Sequence, residues 1–400
     1  MKILDKIKNR FFGTDLRHPA TTMSFNKLYK GLMERVYLGH INVQRSNGLE
    51  IFSYSKSCVY DGAWDKFTTM ARGLILCPKE KRIIALVFPK FWNYGEVSTK
   101  LPDLPFTVNE KIDGSLGIVF FYKGAWQVAT KGSFQSEQAV WATNWLNKNV
   151  HVKCLHENIT YLTEIIYHSN KIVVTYDFEG LVLLGGYNLK TGLELSQISA
   201  LWTSNITFKR QPKIYHYDSL DKMLEIAETL DVNNEGFVVR FSNGYRIKIK
   251  GSEYIRVHRL ISNCTPLAIW DMMRNLDNLD IIRKDLPEEH QRDFDNIRNL
   301  LQAKFDNYLK VIKDFYEDTK RISDRDLGLK LKSGFSDAPK IAKTFVFACR
   351  KKDFLNQVNE VPDNVKHARR ALFEKFRPTG NVLEGFVPSS AMNRFEEESN

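Results

Sequence analysis

Three residues in the run Glu-Lys-Ile-Asp-Gly-Ser at positions 110–115 could do chemistry: Lys111, Asp113 and Gly114. A lysine amine attacks phosphorus only when it is unprotonated, so its pKa must be lowered by burial or by neighbouring cations. An Asp-Gly pair favours a tight turn, and glycine lets the backbone approach a phosphate or a sugar closely. Lys111 is therefore a candidate covalent nucleophile toward a nucleotide, and an ordinary hairpin turn is the alternative.

The elements around Lys111 must hold it in a sheltered position. Residues 106–108 are apolar or β-branched and predict a strand that leads into the turn. Residues 116–122, Leu-Gly-Ile-Val-Phe-Phe-Tyr, predict a buried strand that leaves it. The turn between two buried strands would desolvate the amine of Lys111.

A lysine nucleophile also needs cations for the phosphates, a carboxylate for a divalent metal and a group that holds a ribose hydroxyl. Residues of these types stand beside strand-like runs at Arg72, Lys90, Lys131, Glu164, Glu235, Lys248 and Lys250. Alternation in the run 247–250 places the two lysines on one face of a strand and the two isoleucines on the other. Two lysines on one face repel each other unless an anion lies between them or water surrounds them.

Each of these residues also has an ordinary interpretation. Lys248 and Lys250 could form a solvated strand face, and Glu164 could be an edge charge that blocks aggregation. Glu235 could begin a strand after a turn at 233–234. The remaining positions could be surface cations, turn residues or core aromatics: Arg72, Lys90, Lys131, Trp92, Tyr94 and Tyr254.

Composition and charge favour a polyanionic partner. The chain has 400 residues, of which 43% are hydrophobic and 12% aromatic, enough for two or three globular cores. Its formal charge is +11. Residues 1–255 carry 32 Lys and Arg against 24 Asp and Glu, and residues 256–400 carry 26 against 23, so the excess is +8 in the first part and +3 in the second. We therefore expect RNA, DNA or a nucleotide as the partner.

Cysteine usage and hydropathy indicate an intracellular protein. The five cysteines, an odd number, are scattered and form no Cys-x-x-Cys, which argues against a structural zinc or a disulfide framework. The N-terminus lacks a signal-like apolar core, and no run approaches 18 apolar residues. We expect a cytoplasmic protein that makes no membrane contact.

The chain changes character near residue 255. Residues 1–255 consist mainly of short β-branched and aromatic runs, with helices predicted at 137–147 and 219–230. Beyond it, apolar residues recur every three or four positions from 288 to 321, which predicts one long helix with Pro287 in its first turn and Asp285 as its cap. Further helices are predicted at 266–275, 339–351 and 363–376. This pattern predicts an α+β domain followed by an all-helical domain.

Taken together, these residues resemble the phage RNA ligase 1 family of covalent lysine nucleotidyltransferases, the type that repairs cleaved tRNA in T-even phage infection. Lys111 with Asp113 and Gly114 matches the family's motif I. The later motifs are similar to Thr163-Glu164 (motif IIIa), Glu235-Gly236 (motif IV) and Lys248-Ile249-Lys250 (motif V). The resemblance spans about residues 70–255 in family order, and it departs from the usual pattern at Ile112 and Trp92.

The resemblance implies an antiparallel-sheet, ATP-grasp-like ligase domain at 1–255 and a helical RNA-specificity domain at 256–400. It implies an ATP-dependent RNA ligase with Mg²⁺ or Mn²⁺, in which Lys111, Lys248 and Lys250 are catalytic, Glu235 holds the metal and Glu164 accepts a hydrogen bond from the ribose. The nucleotide-binding positions that it implies are Arg72, Lys90, Trp92, Glu110, Lys111, Gly114, Lys131, Glu164, Glu235, Lys248, Lys250 and Tyr254.

The implied reaction joins RNA 3′-hydroxyl and 5′-phosphate ends through an enzyme-lysyl-AMP and a 5′,5′-pyrophosphate-capped RNA. A cleaved tRNA is one candidate substrate, and we expect a monomer in the cytoplasm, that of the host if a phage encodes it. Two alternatives stay open. An mRNA-capping guanylyltransferase shares the lysine chemistry but usually continues into an oligonucleotide-binding barrel, and a non-catalytic RNA-binding module would not need the intact Lys111 set.

Overall fold

The computed structural model describes residues 17–96, 101–195, 208–217, 219–333, 339–352, 354, 358, 366–380 and 382–388. The chain divides into two compact units, Met1–Ile255 and Arg256–Asn400. The division falls where the sequence changes from strand-like runs to helical periodicity. The first unit combines sheets with helices and the second is built of helices, which confirms the predicted α+β class.

Three sheets form the first unit. Their strands are β1 (Ile41–Ser46), β2 (Leu49–Tyr54), β3 (Arg72–Cys77), β4 (Arg82–Ala85), β5 (Trp92–Asn93), β6 (Phe106–Glu110), β7 (Ser115–Tyr122), β8 (Ala125–Ala129), β9 (Ile159–Ile166), β10 (Gly180–Asn188), β11 (Glu194–Leu195), β12 (Ile214–Tyr215), β13 (Gly236–Phe241) and β14 (Arg246–Lys250). The strand orders are β1-β2-β3-β4, β11-β10-β9-β7-β8 and β12-β6-β13-β14-β5. All neighbouring strands are antiparallel except β14 and β5, which are parallel.

Helices cover the sheets of the first unit. They are α1 (Phe25–Tyr37), α2 (Lys56–Tyr60), α3 (Lys66–Met70), α4 (Glu137–Asn149) and α5 (Leu220–Thr229), of which α4 and α5 are the two predicted ones. The sequence interpretation missed α1, whose buried face contributes Leu28 and Leu32 to the core of the four-stranded sheet. Gly31 belongs to the same face because a Cβ there would lie only 2.2 Å from the ring of Phe67.

The second unit packs around one long helix. Its helices are α7 (Pro266–Asn275), α8 (Leu279–Asp285), α9 (Glu288–Thr319), α10 (Asp324–Lys332), α11 (Lys340–Lys352) and α12 (Lys366–Phe373), preceded by α6 (Ser252–Ser262), which begins in the first unit. The apolar positions that predicted α9, among them Phe294, Ile297 and Leu301, are buried. The predicted start of the last helix, at 363–365, lies outside the described residues.

The predicted start of α9 is wrong in one detail. Pro287 is the N-cap residue and lies outside the first turn. Asp285 is not its cap, because it ends the preceding helix α8. The reason is that a short helix precedes α9 and takes up the residues assigned to its start. In the part of the chain that the structure describes, no helix combines the length and the apolar character that a membrane crossing needs.

Candidate active site

Strand register places Lys111 beside Glu235 and Lys250. Lys111 follows β6 directly, and its backbone N–H donates a hydrogen bond to the carbonyl of Gly236, at 2.9 Å. On the other side of β13, Gly236 is paired with Lys250 in β14. Three adjacent strands thus bring Glu235 and Lys250 next to Lys111, although they are 124 and 139 positions away from it in the sequence.

Glu235 forms ion pairs with two lysines. One carboxylate oxygen lies 2.6 Å from Nζ of Lys111, and the other lies 3.0 Å from Nζ of Lys250. The Glu235 side chain is only 4% exposed, so its charge depends on these two ammonium groups for compensation. Lys111 and Lys250 thus share one nearly buried carboxylate.

Gly236 allows this arrangement because no other residue fits. Its φ is +131°, a conformation that L-residues rarely adopt. A Cβ at this position would lie 2.1 Å from the carbonyl oxygen of Ile249. The glycine therefore sets the close approach of β13 and β14 that brings Glu235 to Lys250.

A cavity of about 290 Å³ lies between the two five-stranded sheets, with Lys111 in its wall. The β14 side contributes Arg246, Lys248 and Lys250, whereas Ile247 and Ile249 are buried on the opposite face. The predicted alternation is therefore confirmed. The other sheet contributes apolar side chains and two carboxylates: Leu116, Glu164, Leu184, Glu194 and Leu195.

Burial and crowded charges shift the pKa values of two cavity residues. Burial, helped by the charges of Lys111, Lys90 and Arg72, lowers the pKa of Lys248 to about 8. Burial raises the pKa of Glu164 to about 7, opposed by the charge of Lys111. A bound phosphate would relieve the repulsion among the cations, so the cavity is suited to an anionic ligand.

Six of the predicted positions line the cavity, namely Arg72, Glu110, Lys111, Glu164, Lys248 and Lys250. Glu110 already has partners: it accepts hydrogen bonds from Nη2 of Arg210, at 3.0 Å, and from the backbone N–H of Lys213, at 3.1 Å. Its carboxylate is thus fixed at the cavity edge by β12 and the residues before it.

Four predicted positions lie beside the cavity and are absent from its described lining: Lys90, Trp92, Lys131 and Glu235, which is paired with the lining residues Lys111 and Lys250. Lys90 is 3.6 Å from a carboxylate oxygen of Glu96 and 5.0 Å from the ring centroid of Trp92. The amine of Lys131 lies 3.5 Å from the ring centroid of Tyr54. Both lysines are thus held by aromatic rings next to the nucleophile's cavity.

Asp113 and Tyr254 support the loop that carries Lys111. One oxygen of Asp113 accepts hydrogen bonds from the backbone N–H groups of Val173 and Val174, both at 2.9 Å. Its other oxygen accepts from the hydroxyl of Tyr254, at 2.8 Å. Tyr254 is 2% exposed and lies behind the loop, outside the described cavity wall, so a direct contact with the nucleotide is not how it serves the site.

Gly114 is needed for a different reason from the one expected. A Cβ on Gly114 would lie 2.7 Å from the carbonyl oxygen of Ile165 and 3.0 Å from Cγ of Glu164. The space that glycine leaves is therefore filled by β9 rather than by a phosphate or a sugar. This close packing places Glu164 opposite Leu116 and next to the nucleophile loop.

A second charged cluster in the cavity wall escaped the sequence interpretation. The carboxylate of Glu194 accepts from Nε of Arg240 at 2.8 Å and from Nη1 of Arg246 at 3.0 Å. Burial opposes ionisation, but the two guanidinium groups hold the pKa of Glu194 below its usual range. Arg246 could have been found, because it continues the alternation of Lys248 and Lys250 by one step.

The donor set suits a divalent ion only in part. Among the described residues, no group of three or more His, Cys, Asp and Glu side chains could hold a metal by itself. Mg²⁺ commonly binds one or two carboxylates and completes its shell with substrate phosphates and water. Glu235 fits this mode as the protein ligand, provided that it gives up an ammonium partner, and Glu164 is a second carboxylate nearby.

Part of the chain is similar to known RNA ligases. The model of the RNA ligase family matches residues 70–254. The RNA ligase of Rhodothermus phage RM378 is 22% identical over 349 residues, which cover 66% of this chain and 77% of that protein. A protein of Autographa californica nuclear polyhedrosis virus, provisionally named a bifunctional polynucleotide kinase/RNA ligase, is 28% identical over 220 residues, 47% of this chain and 30% of that protein. The match thus spans less than a third of the length of the latter relative.

Solved structures show weaker similarity. An archaeal ATP-dependent RNA ligase has a TM-score of 0.45 and 14% identity, over 71% of this chain and 82% of that one. A Naegleria gruberi RNA ligase with pyrophosphate has a TM-score of 0.33 and 19% identity, over 38% of this chain and 51% of that one. The similarity to RNA ligases therefore rests on the sequence: the model of the RNA ligase family matches residues 70–254, somewhat less than half of the chain.

Proposed function

We propose that this protein is an ATP-dependent RNA ligase that joins RNA 3′-hydroxyl and 5′-phosphate ends. The observation that carries the proposal is the position of the Lys111 amine, 2.6 Å from Glu235 in the wall of a cation-rich cavity large enough to admit much of a nucleotide. The match to the RNA ligase family over the same residues supports it.

In the first step, the amine nitrogen of Lys111 forms a bond to the α-phosphorus of ATP as the bond to pyrophosphate breaks. Lys111 must first leave its ion pair with Glu235 and lose a proton. Lys248 and Arg72 line the same cavity and would offset the charge that develops on the phosphates and on the departing pyrophosphate.

The divalent ion in this proposal is Mg²⁺ or Mn²⁺, which Glu235 would hold. When bound, it would supply positive charge beside the phosphates. If Glu235 bound the ion in place of its two lysines, Lys111 would also be free of its ion pair. Glu164, on the opposite wall, is our candidate acceptor for a ribose hydroxyl, since its carboxylate lies near Lys111.

In the second and third steps, the same protein residues act on RNA. An oxygen of an RNA 5′-phosphate attacks the AMP phosphorus, and the bond to Lys111 breaks to give a 5′,5′-pyrophosphate-linked RNA. An RNA 3′-hydroxyl then attacks the RNA phosphorus, loses its proton and releases AMP. A cleaved tRNA as substrate, a monomeric state and RNA selection by Arg256–Asn400 belong to this proposal through the family resemblance.

Labelled nucleotides test the proposal directly. The protein is incubated with ATP or GTP labelled at the α-phosphate, and the label on the protein is measured after denaturation. We expect label from ATP, none in Lys111→Ala, and joining of a 5′-phosphorylated RNA in the presence of Mg²⁺. Label from GTP alone would favour the guanylyltransferase, and no label from either nucleotide would favour a non-catalytic RNA-binding module.

A further inference from the structure

We propose that Tyr54, Trp64 and Lys131, with Trp92 and Lys90, form a docking surface for an unpaired RNA strand whose end enters the cavity. We call these five residues the ring–cation surface. The inference builds on the proposed ligase function, and it reassigns Lys90, Trp92 and Lys131 from the nucleotide to the RNA.

The rings form a connected row that runs across three elements. Tyr54 ends β2, Trp64 lies between α2 and α3, and Trp92 begins β5. The ring centroids of Tyr54 and Trp64 are 5.0 Å apart, and those of Trp64 and Trp92 are 6.1 Å apart. All three side chains are half-buried, so each ring is supported from one side and keeps exposed area on another.

Two lysines sit against these rings. The amine of Lys131 lies 3.5 Å from the ring centroid of Tyr54. The amine of Lys90 lies 5.3 Å from the ring centroid of Trp64 and 5.0 Å from that of Trp92. Burial and the nearby charge of Arg72 lower the pKa of Lys131 to about 8. A bound phosphate would relieve the repulsion between these two cations.

The surface is continuous with the cavity through Phe91. The guanidinium of Arg72 and the amine of Lys248, which both line the cavity, each lie 5.6 Å from the Phe91 ring centroid. The charge of Arg72 also lowers the pKa values of Lys131 and Lys248 alike. Cations and rings therefore alternate from the nucleophile's cavity outward.

Charge is not cancelled along the surface. Glu96 pairs with Lys90 at 3.6 Å, but Asp65, which follows Trp64, accepts a hydrogen bond from Arg35 at 2.8 Å. The surface therefore stays positive, because Lys131 belongs to it and Arg72 lies beside it.

An alternation of rings and cations fits single-stranded nucleic acid better than a triphosphate. Bases of an unpaired strand stack on aromatic side chains while lysines follow the phosphates. ATP has a single base, and the cavity offers that base a place with apolar walls. Three connected rings outside the cavity are consequently more than one nucleotide can use.

The experiment compares two readouts in the full-length protein with Trp64→Leu. We expect lysyl-AMP formation from ATP to stay within about twofold, while the KM for a short 5′-phosphorylated single-stranded RNA rises about five- to 150-fold, as for the loss of one base–ring stack. Trp64→Phe, which keeps a ring, should restore most of the affinity. Tyr37→Leu removes a ring that is 92% exposed at the end of α1 and should change neither readout.

The outcomes separate the surface from the proposed function. If the wild-type protein makes lysyl-AMP and joins RNA, and Trp64→Leu has an unchanged KM for RNA, the surface is wrong and the ligase stands. If Trp64→Leu and Trp64→Phe lose lysyl-AMP formation as strongly as joining, the residue serves the nucleotide site or the fold, and the surface is again wrong. If the wild-type protein forms no lysyl-AMP, the proposed function itself fails.

Lys131 provides a second, independent test. Lys131→Gln should lower the slope of log binding constant against log salt concentration for single-stranded RNA by about 0.7, the value for one phosphate contact. An unchanged salt slope would return Lys131 to the nucleotide.

Discussion

Two charged clusters at the same cavity are built alike: each holds one carboxylate between two cations. Glu235 is held by Lys111 and Lys250, and Glu194 is held by Arg240 and Arg246. Both carboxylates are nearly buried, at 4% and 5% exposure. The clusters differ in the type of cation, and in our proposal this difference separates a site that can react from one that cannot.

Lysine and arginine give the two clusters opposite properties. An ammonium group is a point charge that can lose its proton when buried, whereas a guanidinium group stays charged and binds a carboxylate through a planar fork. The Glu235 cluster can therefore open and release a neutral amine. The Glu194 cluster is permanent, and it fixes β11 against β13 and β14.

The largest expected effect is at Lys111. Lys111→Arg would keep a cation beside Glu235 but would convert this cluster to the unreactive type, because a guanidinium does not become a free nucleophile. We expect no lysyl-AMP in Lys111→Arg or Lys111→Ala, measured as label from ATP on the denatured protein. Joining of RNA by either variant would contradict the assignment of the nucleophile.

The next largest effect is on stability, at Glu194. Glu194→Gln leaves two buried guanidinium groups without their anion, so the free energy of unfolding should fall by about 3–5 kcal/mol. Glu235→Gln should cost less, because the side chains of Lys111 and Lys250, at 19% and 24% exposure, are more open to water than those of Arg240 and Arg246, at 15% and 10%. Chemical denaturation of both variants measures the difference, and an equal or larger loss in Glu235→Gln would contradict the comparison.

Activity should show the reverse order, with a larger effect at Glu235 than at Glu194. We expect Glu235→Ala to slow lysyl-AMP formation about a hundredfold, an effect of about 2.7 kcal/mol, since it removes the proposed ligand of the divalent ion. The dependence of the rate on Mg²⁺ concentration should change as well. A rate loss with an unaltered Mg²⁺ titration would assign Glu235 to Lys111 alone.

A smaller effect concerns pH. Because burial lowers the pKa of Lys248 to about 8, this lysine is charged below pH 8 and becomes neutral above it. The kcat/KM of lysyl-AMP formation should consequently fall severalfold above pH 8, in a profile of the free enzyme. Lys248→Arg should move the fall to higher pH, since arginine keeps its charge.

The smallest effect is the pH dependence of stability that Glu164 causes. Burial raises its pKa from 4.5 to about 7, so the folded protein binds a proton more tightly than the unfolded chain. The stability that this proton provides is present below pH 4.5 and is lost as the pH rises to 7. Thermal unfolding of Glu164→Gln against the wild type should show the variant gaining relative stability across this range.

The reactive cluster could be predicted from the sequence because its residues stand at strand ends and alternate. Lys111 follows a strand, Glu235 precedes one, and Lys250 shares a face with Lys248, so antiparallel pairing brings them together. The pairing order β6-β13-β14 itself could not be derived, since nothing local in these strands specifies their partners.

The arginine cluster shows where the prediction ends. Glu194 belongs to a two-residue strand, too short to show any periodicity, so its side chain had no predictable direction. Tyr254 and Gly114 follow the family pattern, but contact geometry decides what they do. The tyrosine hydroxyl bonds to Asp113, and the glycine makes room for β9.

The position of helix α6 determines where a fragment that contains only the first unit should end. The compact units divide between Ile255 and Arg256, but α6 runs from Ser252 to Ser262. A chain that ends at Ile255 would stop one residue after Tyr254, in a helical fragment too short to persist, and the Asp113 carboxylate would lose the Tyr254 hydroxyl, one of its three described donors. The smallest fragment expected to keep its nucleophile loop in order therefore ends at Ser262.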